Sequence, residues 1–191
     1  MKTKKYTAII DLGLSNLHNV KLACEIVGIK NVVTSNPVII SKANALILPG
    51  VGSFKEAMKR INLLKLEKII KKSIHQKKPF LGICLGMQLL FSRSNEFGKS
   101  KGLKILKGEI IRLKYSESKY EKYSIPHTGW NKINFLRNKR KFKMLSGLKN
   151  SEFMYFVHSF YVKTREKNYI KSVSEYGQNK FPSIIIKNNI C

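Results

Sequence analysis

The stretch Lys78–Phe91, KPFLGICLGMQLLF, constrains this chain more than any other. An apolar run of strand length leads into Gly-Ile-Cys-Leu-Gly, and a second apolar run follows at once. A chain that turns from strand to helix over one residue brings the two elements close together while that residue's side chain stands clear. Glycines two positions before and two after it, here Gly82 and Gly86, relieve the crowding. Cys84 is then expected at a helix N-terminus, where unpaired N–H groups and the helix dipole favour thiolate over thiol. A small buried cysteine that merely begins a helix needs neither glycine.

The remainder of the first half frames this turn. KKYTAIID reads as a buried strand, LGLS as a turn, and Leu17, Val20, Cys24 and Val27 as one helix face ending at Gly28. NVVTS and ALIL are further strands, the second running directly into PGVG. Ser53 and Glu56 carry the signature of a capping box ahead of Met58, Ile61 and Leu64. Leu66, Ile69, Ile70 and Ile74 mark another helix, PFLGI the next strand, and LGMQLLFSRS the helix after it. Strands alternating with helices at this spacing predict an α/β fold with a mostly parallel central sheet flanked by helices. Past Gly98 the runs LKILKGEIIRL, NKINF, FMYFVHSFYV, YIKSVSEY and SIIIK are strand-like, so the second half is expected to be β-rich. No repeat or linker divides the 191 residues, which are expected to form a single domain, 1–191.

Composition excludes several classes of protein. The apolar runs are broken by Pro49 and Gly50 or by Gly82 and Gly86, so none spans a bilayer. MKTKKYTAIIDLG begins as a signal peptide does, but Asp11 cuts its apolar run and no small-residue cleavage site follows, which points to the cytoplasm. Cys24, Cys84 and Cys191 have no metal-ligand spacing, and their odd number argues against a disulfide framework. Cys24 falls on the buried face of a helix, and no metal or cofactor is expected. The 37 Lys and Arg residues exceed the 11 Asp and Glu residues by 26. Such a balance normally signals nucleic acid or an anionic surface. Here the lysines are scattered, only Arg137–Lys141 (RNKRK) is dense, and no stacking aromatics or nucleic-acid motif accompany it. The charge reads as compositional drift, and a nucleic-acid partner is not expected.

LILPGVGSF is the second stretch that bears chemistry. A strand ending in Pro-Gly-Val-Gly frees its last amides from the ladder. Gly52 N–H and Leu85 N–H would then form an oxyanion hole above Cys84, as acyl transfer requires. The absence of a Gly-Lys-Ser/Thr ending excludes a phosphate loop. Together the two stretches resemble the class I glutamine amidotransferases, the triad glutaminases. IIDLGLSNLHNV, ALILPGVGSFKEAM, PFLGICLGMQLLF, IPHTGWNKI and YFVHSFYV, in that order, narrow the resemblance to the glutaminase subunits of imidazole glycerol phosphate synthase. It covers nearly the whole sequence, with a departure at Leu12 and Ser15, where the family commonly has Tyr and Gly.

The resemblance implies a flavodoxin-like amidotransferase fold and a set of roles. Cys84 attacks the side-chain amide of L-glutamine, giving a γ-glutamyl thioester and ammonia, and water then releases glutamate. Gln88 and Glu96 hold the glutamine, Glu96 by its α-ammonium; read without the family, one is a polar helix residue and the other a solvated loop acid. His158 and Ser159 offer backbone contacts to the substrate. PHTGW, with the only tryptophan, lies near the face that docks a (β/α)₈-barrel cyclase subunit in a heterodimer; that partner takes the ammonia and closes the imidazole ring in histidine biosynthesis. A paralogue feeding another synthase, such as one that amidates a surface sugar, carries the same motifs.

The family's proton acceptor is a histidine in FHPE near the C-terminus, oriented by the glutamate. That motif is absent, and none of His18, His75, His127 and His158 matches it. FPSIIIKNNIC corresponds to a strand, an Asn-Asn turn and the first residues of a returning strand, which in the family continues into the His and Glu. The expectation is therefore a polypeptide truncated at its C-terminus relative to the family, through a truncated or frameshifted gene or an incomplete sequence, or else a non-catalytic pseudo-glutaminase that binds the barrel.

Overall fold

The computed structural model describes residues 5–117, 122–136, 142–149 and 151–191. The basic run Arg137–Lys141 lies outside the described residues. The polypeptide forms two compact units, Met1–Leu106 with Lys187–Cys191, and Lys107–Ile186.

The first unit runs β1 (Thr7–Ile10), α1 (Leu17–Ile26), β2 (Asn31–Thr34), α2 (Pro37–Lys42), β3 (Ala45–Gly50), α3 (Phe54–Leu63), α4 (Glu67–His75), β4 (Phe80–Cys84) and α5 (Leu85–Gln88), then β5 (Arg93–Ser94) and β6 (Ser100–Lys101). Its sheet is parallel in the order β2-β1-β3-β4. This is the expected α/β architecture, and Cys24 sits where helical spacing put it, packed with Ile9 and Ile47. The helix α2 goes unmarked by apolar periodicity, because six residues make less than two turns. Its signal is Asn36-Pro37: the Asn36 side chain accepts from the Val38 amide (2.8 Å), and proline occupies the first turn, where its missing N–H costs nothing.

Ser53 caps α3 through the Glu56 amide, as expected (3.3 Å). The apolar face of α3, Phe54, Ala57, Met58 and Ile61, is buried. The Asn-Asn turn is present too: Asn188 takes φ 53°, and Lys187 and Ile190 exchange both backbone bonds (3.0 and 2.9 Å). The returning segment adds to the sheet edge at β4. Cys191 N donates to Phe80 O (2.9 Å) and Gly82 N to Cys191 O (2.8 Å), so the last residues run parallel to the cysteine-bearing strand.

The helix expected over LGMQLLFSRS is corrected to a single turn, Leu85–Gln88. Competition for carbonyls ends it. Amides of residues 102–106 donate to the carbonyls of Leu89, Leu90, Phe91 and Ser92, the groups a longer helix would need. Burial of Leu89, Leu90 and Phe91 on every side favours that closure over a helix with one wet face.

The second unit is antiparallel. It comprises β7 (Glu109–Arg112), β8 (Ser116–Glu117), β9 (Lys122–Tyr123), β10 (His127–Phe135), β11 (Ser151–His158), β12 (Phe160–Lys163), β13 (Ile170–Tyr176) and β14 (Asn179–Ile185). The order β11-β10-β13-β14 builds one sheet, while β12 pairs with β7. FMYFVHSFYV, which reads as one strand, is therefore two strands in different pairings, broken at Ser159.

The closest approach at any described glycine is beside Cys84, at Gly86. A Cβ on Gly86 would lie 1.7 Å from the Leu48 carbonyl oxygen, and one on Gly82 2.9 Å from the Met87 backbone. Gly86→Ala is expected to cost about 3–5 kcal/mol in urea unfolding. Gly28→Ala, at φ 73° with open space around it, should cost only about 1–2 kcal/mol.

Candidate active site

Cys84 ends β4 at φ 54° and ψ −115°, a conformation that L-residues avoid and that persists only where packing imposes it. The residue is exposed, and the neighbouring Leu85 amide favours the charged form of its thiol. In an open parallel sheet, ligands bind at the carboxyl ends of the strands, and the ends of β1, β3 and β4 converge on this region. Gly50, the last residue of β3, is the register partner of Cys84. The loop after β1 is tied to the loop after β3 by the Val51 amide, which donates to the Leu14 carbonyl (2.8 Å). Arg60 Nε donates to Leu12 O (3.0 Å), and Asp11 accepts from the Gly13 amide (2.6 Å). Gly52 follows at φ 90°, its amide taken by no other described group.

The expectation that the helix N-terminus favours thiolate is corrected. Desolvation by the dense surrounding protein raises the Cys84 thiol above its ordinary value of 9.0, and the Leu85 hydrogen bond only partly offsets this. One helical turn carries little macrodipole, so burial wins.

Of the residues linked to substrate, Gln88 lies on the buried side of α5, 8% exposed. Glu96 is half-buried, and its Oε2 accepts from the Phe54 amide at the start of α3 (2.6 Å). The carboxylate that reaches this helix end from elsewhere is thus Glu96. Buried Ser94 holds Glu96 in turn, its Oγ accepting from the Glu96 amide (3.1 Å). Sequence reasoning missed Ser94 and Arg60; the serine two residues before the acid was a usable turn signal, whereas nothing local marked the arginine.

His158 and Ser159 belong to the second unit, at the break between β11 and β12. His158 Nδ1 lies 3.0 Å from Phe160 O and Nε2 3.0 Å from His127 Nδ1. Asn131 Nδ2 approaches His127 Nε2 at 3.4 Å. A carbonyl only accepts and an amide NH₂ only donates, so this relay of hydrogen bonds has one consistent sense. Asn131 donates to His127, His127 to His158, and His158 to Phe160 O, with both rings neutral. His127 is stacked on Tyr176 (3.9 Å between centroids) and Phe156 (5.0 Å), with Phe181 edge-on. Burial, then the neighbouring His158, lowers His127 to about 4. Burial also lowers His158, against the opposing pull of Phe160 O. Neither ring has a nitrogen left to take a proton from a thiol, while His18 and His75 are exposed on α1 and α4. Among the described residues, no group of three or more His, Cys, Asp or Glu side chains could hold a metal ion, and no helix is long and apolar enough to cross a membrane.

Two pH dependences follow. Alkylation of Cys84 by iodoacetamide should still be accelerating as pH passes 9, read by mass spectrometry. Folded His127 binds its proton more weakly than the unfolded residue does, so its contribution to stability is complete above about pH 6.5. That contribution is lost as pH falls from there through about 4. Urea midpoints between pH 7 and 4 should decline, and His127→Phe should flatten the decline.

The model of the glutamine amidotransferase class-I family matches residues 8–190. The imidazole glycerol phosphate synthase subunit HisH of Aquifex aeolicus is 44% identical over 183 residues, covering 95% of this chain and 84% of that protein. Its Bacillus subtilis counterpart is 39% identical over 182 residues, with coverage of 95% and 84%. A crystal structure of a glutamine amidotransferase from Thermotoga maritima superposes with a TM-score of 0.60 at 13% identity, covering 98% of this chain and 74% of that one, a likeness of fold alone. The cysteine turn, the ordered motifs and the relatives agree: the chain belongs to the class-I glutamine amidotransferases, in the group of imidazole glycerol phosphate synthase subunits HisH.

Proposed function

We propose that this protein is the glutaminase subunit of an imidazole glycerol phosphate synthase, hydrolysing L-glutamine through Cys84 and passing ammonia to a (β/α)₈-barrel cyclase in cytoplasmic histidine biosynthesis. The observation that carries this reading is Cys84 itself, exposed at a positive-φ turn between the end of β4 and the start of α5. The sulfur attacks the side-chain carbonyl, and the amides of Gly52 and Leu85 receive the negative charge. Ammonia departs from the tetrahedral intermediate, and water hydrolyses the γ-glutamyl thioester. Glu96 holds the α-ammonium, Gln88 orients the substrate, and the backbone at His158 and Ser159 contacts it. A single family model running across both units supports reading them as one domain.

The cyclase-docking face is proposed on β10 and β11. Alternation turns His127, Asn131 and Ile133 to one side and Trp130 to the other, where Trp130 meets its register partner Tyr155 edge-on. Trp130 is 71% exposed, and Phe153, Tyr155 and Val157 are more than half exposed. A contiguous aromatic face of this kind marks a protein interface.

One observation favours a second reading. With the nitrogens of His127 and His158 engaged and His18 and His75 exposed, these 191 residues offer no histidine base for Cys84. In this reading the protein is a partner-binding pseudo-glutaminase.

Ammonia release by the 191-residue polypeptide, assayed with its barrel partner, separates the readings. Loss of a triad member costs on the order of 10⁴ in rate or more. Turnover within tenfold of the Bacillus subtilis relative, abolished by Cys84→Ala, would establish an enzyme with a base outside the expected motif; turnover lower by about 10³ or more selects the pseudo-glutaminase. Trp130→Ala should weaken barrel binding at least about 30-fold by calorimetry while leaving thermal stability unchanged.

A further inference from the structure

Register decides which side chains share the side of the sheet β11-β10-β13-β14 that faces away from His127. Trp130 pairs with Tyr155, Lys132 with Phe153 and Thr128 with Val157, so these six lie together. Asn134 pairs with Val173, which places Val173 and Glu175 of β13 on the same side, with Lys180 of β14 opposite Glu175. The middle of this surface is apolar and its charges are few. Among the described residues Glu175 is the only acid that the register puts there, and Lys180 Nζ already holds its carboxylate at 2.7 Å. Lys132 belongs to none of the ion pairs formed among the described residues. Its ammonium lies 5.5 Å from the centre of the Phe153 ring, close enough for cation–π attraction. That contact keeps a cation without a counter-ion beside the exposed aromatic patch.

A partner that covers Trp130 and Phe153 covers this ammonium too. A cation taken out of water unpaired opposes binding strongly. One met by a carboxylate adds attraction and fixes the register of the two surfaces. The whole chain carries a net charge of +26, so at low ionic strength it repels a basic surface and draws in an acidic one. Local desolvation and the long-range field select the same kind of partner.

We propose that the barrel subunit meets β10 and β11 with an acidic face that places a carboxylate on Lys132. This rests on the reading of β10 and β11 as the docking face. Trp130 then anchors the complex by burial, while Lys132 speeds encounter and sets alignment.

Binding of the barrel to the native protein, Lys132→Met, Lys132→Glu, Lys68→Glu and Trp130→Ala is to be followed by biolayer interferometry at about 20, 150 and 500 mM NaCl. Methionine keeps an apolar stem over Phe153, so the difference between the two Lys132 variants reports charge rather than packing. Lys68 is exposed on α4, and its reversal changes the net charge by the same amount. Native association should slow at least about tenfold from the lowest salt to the highest. At low salt Lys132→Glu should weaken affinity about 30-fold or more, Lys132→Met less, and Lys68→Glu under about threefold. The gap between the Lys132 variants should narrow as salt rises. Salt-independent association, or native affinity in Lys132→Glu, overturns the proposal; if Trp130→Ala still weakens binding, the docking face stands. Equal losses in Lys132→Glu and Lys68→Glu also overturn it, since net charge alone then accounts for the effect. Native binding by Trp130→Ala and both Lys132 variants overturns the docking face and the proposal together. If circular dichroism shows Lys132→Glu unfolded, Lys132→Met decides: a loss at low salt that fades at high salt supports the proposal, and no loss, or one that salt leaves unchanged, overturns it.

Discussion

The close passage of α5 over the ends of β3 and β4 sets the geometry on which the rest of the site depends. Gly86 lies against the Leu48 carbonyl and Gly82 against the Met87 backbone, so near that a single methyl group at either position would collide with backbone atoms. Backbone does not swing aside as the tip of a long lysine does, and the approach is therefore unforgiving. Between the two glycines Cys84 is forced to φ 54°, and the residue is exposed although the protein around its sulfur still desolvates the thiol. Strain at one residue is the means by which a buried parallel sheet presents a reactive atom at its surface.

Electrostatics at that atom run against a simple helix-dipole picture. A helix of four residues adds few aligned peptide dipoles, and the protein packed around the sulfur removes more solvation than the Leu85 amide restores. The excess positive charge of the protein does not reverse this, because scattered surface lysines are screened over a Debye length of about 8 Å. In the second unit desolvation acts on imidazole instead. His127 and His158 remain neutral, each donating one hydrogen bond and accepting another in a relay from Asn131 to the Phe160 carbonyl. Their family motifs thus serve the architecture around Ser159 through side chains whose titration is suppressed.

The legible parts of the sequence were those with local causes. Helical spacing placed Cys24 in the core, Ser53 announced the start of α3, and Asn188-Asn189 announced a two-residue turn, each through contacts within a few residues. The length of α5 was illegible, because amides more than ten residues downstream took the carbonyls its continuation needed. The break at Ser159 was hidden for a related reason: an apolar run looks the same whether one sheet or two receive it. Glu96 showed a carboxylate in a loop, and only folding revealed that it meets the start of α3.

From sequence alone came the residue types and their order: a cysteine between paired glycines, a Pro-Gly-Val-Gly strand end, and strands alternating with helices. These follow from steric rules and periodicity, which operate over a handful of residues. Tertiary structure alone decided which hydrogen-bonding groups remain available, withdrawing the imidazoles of His127 and His158, turning Val51 towards Leu14 and leaving the Gly52 amide without a partner among the described residues. Those outcomes depend on which segments compete for the same donors and acceptors, and distant segments meet only when the polypeptide has folded.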